Sequence, residues 1–220
     1  HIIGDSGAPI PYIIDVDPDS LPSGMSQDDA IQAVAESLNA WASVSALTFR
    51  FAGLEDFGQA ANTIGISDGA IRIQLHDNHN AITTPNVLGV GGGSVSLTPF
   101  SGGSIEGQEF LHKINPFLIL ENAENNNFLQ NVNNFKFVLT HELGHALGLA
   151  HSSENPNEPN NILSDATMYF SASSGSNGAA LEAYDIDRIQ FAYSVNNTPP
   201  AGINRVIRAI TTSNNSNLPN

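Results

Sequence analysis

The sequence predicts a mixed α/β or α+β domain built around one sheet. Three observations lead there. Apolar side chains alternate through several short segments of the first half, one strongly amphipathic helix is set among them, and the remaining helical patterns come last. The chain has 220 residues, 40% of them apolar, which is enough for one substantial core.

The elements follow in order. Ile10, Tyr12, Ile14 and Val16 alternate as in a strand, and the turn residues of DVDPDSLPSG end it. SQDDAIQAVAESLNAWA reads as a helix. Ser26 is placed to cap it, Asp29 follows three residues later as in a capping box, and Ile31, Val34, Leu38 and Trp41 form an apolar stripe. Two strands come next: LTFRF, with Leu47, Phe49 and Phe51 alternating, and IRIQL, with Ile71, Ile73 and Leu75 facing one way. NVLGVGGGSVSL reads as extended, and its glycine run points to a close backbone approach by something else. From 101 to 127 the pattern dissolves into Gly, Asn and Pro around an apolar PFLIL, read as an irregular insertion. Helical spacing returns at Phe128, Val132, Phe135, Leu139, Leu143 and Leu147 and stops at Gly148. A polar loop around TMYF fills 152–178, and LEAYDIDRIQFAY closes the core as a helix with Ile186, Ile189 and Tyr193 on one side.

Charge and composition narrow the function. The formal net charge is −15 and Lys113 and Lys136 are the only lysines. Such a chain repels phosphate backbones, so nucleic acid is not an expected partner, and anionic membranes are disfavoured. No apolar run approaches the roughly 18 residues of a membrane span. There is no cysteine, so a zinc site would have to use His, carboxylate or water. The opening HIIGDSGAPI, without an initiator Met or a charged-then-apolar leader, reads as a mature or trimmed form, and TTSNNSNLPN as a polar tail or linker.

Three of the seven histidines fall within HELGHALGLAH, residues 141–151. On a helix, four steps of about 100° return to within about 40°, so His141 and His145 project from one face, one turn apart. That spacing gives one zinc two ligands, with Glu142 beside the metal and turned away from direct coordination. His151 cannot join by continuing the helix, which would carry it about 15 Å along the axis from His141. Gly148 is where the chain can stop and fold back, because glycine readily adopts the left-handed conformation that ends helices. A surface helix with solvated histidines explains neither the spacing nor the glycine.

HExxHxxGxxH resembles the zinc motif of the metzincin metallopeptidases, and Met168 in ATMYF stands where that clan has its methionine turn. Within the clan the chain is most similar to the matrixins. AIQAVAESLNAWASVSALTF looks like their first helix and following strand, HELGHALGLAHS with TMY like their zinc helix and Met-turn, and YDIDRIQFAY like their last helix. The resemblance implies a twisted five-stranded mixed sheet with two long helices above an active-site cleft. It implies one catalytic domain over 1–195, with an upper part to about 148 and a small lower part over 149–195, before a tail at 196–220. It implies a zinc endopeptidase: His141, His145 and His151 hold zinc, Glu142 is the general base for water, and Met168 lies as an apolar floor beneath the histidines. It also implies an extended protein or peptide substrate paired along an edge strand within 87–98. A secreted, extracellular monomer is the expectation. Tyr169 and Trp41 are expected to pack, and His1 and His112 to be solvated.

The chain also departs from the family. LHDNHN offers His76, Asp77 and His79 where matrixins carry a second, structural zinc, but LGVGGGSVS replaces the later histidines of that site. The loop is then a second zinc site, a calcium site or plain solvated loop. Asp15, Asp17 and Asp19 suit calcium or turn capping equally. Phe170, Ser171 and Ala172 stand in place of the family's Pro-x-Tyr wall, so the specificity pocket should have its own shape. Tyr184 replaces the first of two paired aspartates, which leaves Asp185 as a brace for the Met-turn. Two other readings exist: a non-catalytic binding or adhesion module on the same scaffold, and a mainly self-processing protease. The retained Glu142 argues against the first.

Overall fold

The computed structural model describes residues 9–99, 109–113, 115–172 and 177–193. Its elements run β1 (Ile10–Asp15), α1 (Gln27–Ser43), β2 (Phe49–Leu54), β3 (Ile71–Gln74), β4 (Gly89–Gly92), β5 (Val95–Pro99), β6 (Glu109–Lys113), β7 (Phe117–Leu120), α2 (Val132–Ala146), α3 (Asn161–Ser164) and α4 (Ala183–Ala192). Five strands form one sheet in the order β2-β1-β3-β7-β4, and β5 pairs with β6 separately. All neighbours in the large sheet are parallel except β4, which runs antiparallel to β7 at the edge. The expected α+β fold with a mixed five-stranded sheet and two long helices is therefore present.

Helix α1 begins where its capping chemistry dictates. The Ser26 hydroxyl accepts from the Asp29 N–H at 3.2 Å and the Asp29 carboxylate accepts from the Ser26 N–H at 2.9 Å. Such a cap stabilises by about 1 kcal/mol. The buried stripe carries Ala30, Ala33, Val34, Leu38 and Trp41. Trp41 is fully buried and its indole N–H donates to the Thr140 carbonyl of α2 at 3.0 Å. Helix α2 is enclosed more completely, with α1 on one side and β4 and β7 on the other. Ile14, Ile73, Leu118 and Leu120 from the sheet meet Phe135, Leu139 and Leu143 from α2, and Ile189 and Tyr193 join from α4.

Two expectations are corrected. PFLIL is not part of an irregular insertion: β7 is a central strand, paired with β3 on one side and β4 on the other. A short apolar run covered on both faces has no alternation to betray it. Its opposite face is sealed by Ala60, Ala61, Ile82 and Val90 around Ile119. Helix α2 starts at Val132 rather than Phe128, because the Asn131 side chain caps it by accepting from the N–H groups of Asn133 and Asn134. Phe128 keeps helical spacing from outside the helix, packed against the core from the preceding turn. Residues 101–108, His1 and the tail from 194 lie outside the described residues, as does the side chain of His112.

Candidate metal centre and active site

The end of α2 sets the geometry. Gly148 has φ +101°, its N–H donates to the His145 carbonyl at 3.0 Å, and the Leu149 N–H donates to the Gly144 carbonyl at 2.9 Å. This pair of bonds is a Schellman ending, which satisfies the last carbonyls while reversing the chain. The reversal brings His151 back. Its Nε2 lies 3.1 Å from the Nε2 of His145, which lies 3.1 Å from the Nε2 of His141.

Every Nδ1 has its own partner. His141 Nδ1 is 2.7 Å from the Thr167 carbonyl, His145 Nδ1 is 2.9 Å from the Leu149 carbonyl, and His151 Nδ1 is 2.6 Å from a Glu154 carboxylate oxygen. Carbonyls and carboxylates only accept, so each Nδ1 carries the proton and each Nε2 presents a lone pair. Three lone pairs aimed at one another repel unless a cation sits among them. Three neutral imidazoles with their outer nitrogens anchored are the donor set zinc takes in open catalytic sites. Among the described residues this is the one group of three or more His, Asp or Glu side chains gathered closely enough to hold a metal. Burial pulls the His141 imidazole down to about 4, which favours the neutral form a metal needs; the Thr167 bond opposes this shift and the nearby His151 adds to it.

Glu142 faces the edge strand. It is 6% exposed, and burial pushes its carboxyl up to about 8 against the lowering effect of a hydrogen bond from the Gly91 N–H. A cation held by the three imidazoles would favour the carboxylate again. The glycine run of β4 is explained here. A Cβ at Gly89 would stand 2.8 Å from Glu142 Cγ, and one at Gly91 would collide with the Glu142 carbonyl. The expected close approach is real, and what approaches is this turn of α2.

The segment around Met168 packs against the same stretch of α2. Met168 is fully buried, and a Cβ on Gly144 would run into its sulfur and come 3.0 Å from Trp41 Cζ2. The Asp185 carboxylate accepts from the N–H groups of Thr167 at 2.7 Å and Met168 at 3.0 Å. Asp185 thus braces the peptide whose carbonyl orients His141. Tyr169 donates its hydroxyl to the Asn155 carbonyl at 2.7 Å. A cleft of about 560 Å³ opens over the centre, lined by β4, by Phe137 and Val138, and by the wall from Tyr169 to Ala172.

The His76 and His79 rings lie 6.0 Å apart, and among the described residues they are not gathered with Asp77 into a group as close as the three imidazoles. His76 is buried with Nε2 3.2 Å from Asp15 Oδ1, and the Asp77 carboxylate accepts from the N–H groups of Ala81 and Ile82 at 2.7 and 2.9 Å. His79 is exposed. Asp17 caps the turn at Pro18–Ser20 and accepts from the Asn78 amide at 2.6 Å. Sequence reasoning missed Glu154 and Thr167. Glu154 had a weak signal, an acid three residues beyond His151; Thr167 acts through its backbone and had none.

The Matrixin family model, of the M10 peptidases, matches residues 10–194. No curated protein matches the chain.

Proposed function

The chain belongs to the matrixin family of zinc metallopeptidases, and on that premise we propose that it is a secreted endopeptidase in which Glu142 is the general base. One observation carries the reading: three anchored imidazoles converge through Nε2 with 3.1 Å contacts, and the buried Glu142, on the helix that carries His141 and His145, lines the same cleft. His141, His145 and His151 hold the metal. Zinc, when bound, supplies a Lewis acid for the scissile carbonyl and lowers the pKa of water.

Glu142 takes a proton from the attacking water and hands it to the departing amine nitrogen, so the carboxylate is regenerated. The Gly91 N–H keeps that carboxylate against β4. The outer edge of β4, unpaired among the described residues, receives the substrate as an added strand, with main-chain bonds for affinity and side chains read by the cleft. The wall at Phe170, Ser171 and Ala172 gives that cleft its own selectivity. Work outside the cell accords with the family's general habit, and no helix among the described residues is long and apolar enough to cross a membrane.

Glu142→Ala tests the assignment. The variant should keep zinc and lose peptide cleavage by about 10²–10⁴-fold. Zinc-loaded wild type that cleaves no casein, gelatin or peptide library would overturn the endopeptidase reading.

A further inference from the structure

We infer that Glu154 is a positioning residue for the metal, acting through His151 and setting how tightly the site holds zinc. The inference rests on the metallopeptidase reading above and goes beyond it. The three imidazoles are not anchored alike. His141 and His145 lean on main-chain carbonyls of Thr167 and Leu149, whereas His151 leans on a side-chain carboxylate at 2.6 Å. A carbonyl orients a ring. A carboxylate orients it and also draws the Nδ1 proton, which raises electron density at Nε2 and makes the ligand a stronger donor.

Burial sharpens the contrast. The His151 side chain is 27% exposed and Glu154 is 75% exposed, so this ligand stands at the mouth of the site on a loop. An exposed pair of this kind contributes little to fold stability. The residues on either side of Glu154 are nevertheless tied down. Ser153 before it donates its hydroxyl to Glu158 at 2.6 Å, and the Asn155 N–H after it donates back to Ser153 Oγ at 3.1 Å. The Asn155 carbonyl accepts from Tyr169, which ties the loop to the residue beside Met168. The carboxylate thus meets His151 from a backbone that is tied down on both sides.

The test is zinc affinity of the full chain, read by competition with a chromophoric chelator near neutral pH. Glu154→Ala should weaken zinc by about 10–100-fold. Glu154→Gln, whose amide oxygen still accepts from Nδ1–H but carries no charge, should fall between wild type and alanine. Glu55→Gln, a loss of the same charge at an exposed position beyond the opposite edge of the sheet, should bind like wild type. Cobalt substitution adds a second readout: the visible d–d bands should shift in the Glu154 variants and stay unchanged in Glu55→Gln, while the melting temperature of the metal-free Glu154 variants stays that of wild type. Glu154→Ala that binds zinc like wild type overturns this inference alone. Wild type that binds no zinc removes the metallopeptidase reading and this inference with it. Equal losses in Glu154→Gln and Glu55→Gln also overturn it, because bulk charge would then account for the effect.

Discussion

Two stretches of the chain put histidines and acids side by side, and the fold treats them oppositely. In 141–151 the hydrogen bonds go to the outer nitrogens and leave three Nε2 lone pairs facing one point. In 76–79 the bonds consume the groups themselves: His76 Nε2 meets Asp15, and Asp77 ties down the Ala81 and Ile82 amides. The residue types are nearly the same. What separates a metal site from a braced loop is where the fold leaves unused lone pairs, and that is decided by neighbours distant in sequence.

The comparison can be broken most decisively with metal counts. His145→Ala should abolish both zinc retention and peptidase activity, whereas His79→Ala should leave both unchanged. Elemental analysis of the two purified variants decides it. A second stoichiometric zinc in wild type that disappears in His79→Ala would erase the contrast.

A smaller effect is expected one layer out from the metal. Asp185→Ala leaves the buried Thr167 and Met168 amides without their acceptor, at about 1–3 kcal/mol for each orphaned donor. Denaturant unfolding should report that loss. Chelator competition should report weaker zinc, since the Thr167 carbonyl that orients His141 is no longer fixed. Unchanged zinc affinity in a destabilised protein would confine Asp185 to the fold.

The smallest effect belongs to the braced loop and depends on pH. Burial raises the Asp15 carboxyl, but hydrogen bonds from His76, Gln74 and the Phe57 N–H outweigh it and hold the group below its ordinary 3.8. A carboxyl lowered by folding contributes stability that is present above the unfolded value and lost as pH falls through the folded one. Asp15→Asn should therefore be less stable than wild type near neutrality, with the gap closing below about pH 4. Parallel stability curves down the acid limb would show that the bonds to Asp15 carry no net charge preference.

What the sequence disclosed follows the same line. Local rules were legible. Ser26 and Asp29 announced the start of α1, the alternation of Ile71, Ile73 and Leu75 announced β3, and Gly148 announced the stop that returns His151. Each depends on neighbours a few residues away. Features set by distant partners were not legible. Phe117–Leu120 looks like an insertion until β3 and β4 are seen on either side of it. Gly89 and Gly91 signal a close approach, but only the fold says that Glu142 makes it. Phe128 keeps the helical period without being in the helix, because packing preserves the spacing while Asn131 decides where the hydrogen-bonded turn begins.

The bond from Asp185 to the Met-turn bears on the order in which this site is assembled. All three imidazoles and the glutamate leave the ribosome within eleven consecutive residues. The orientation of His141 waits on a carboxylate in the last described helix. A nascent chain paused before α4 would own every zinc donor and still lack the group that holds the first of them in line. The metal centre therefore draws its last support from the end of the described fold.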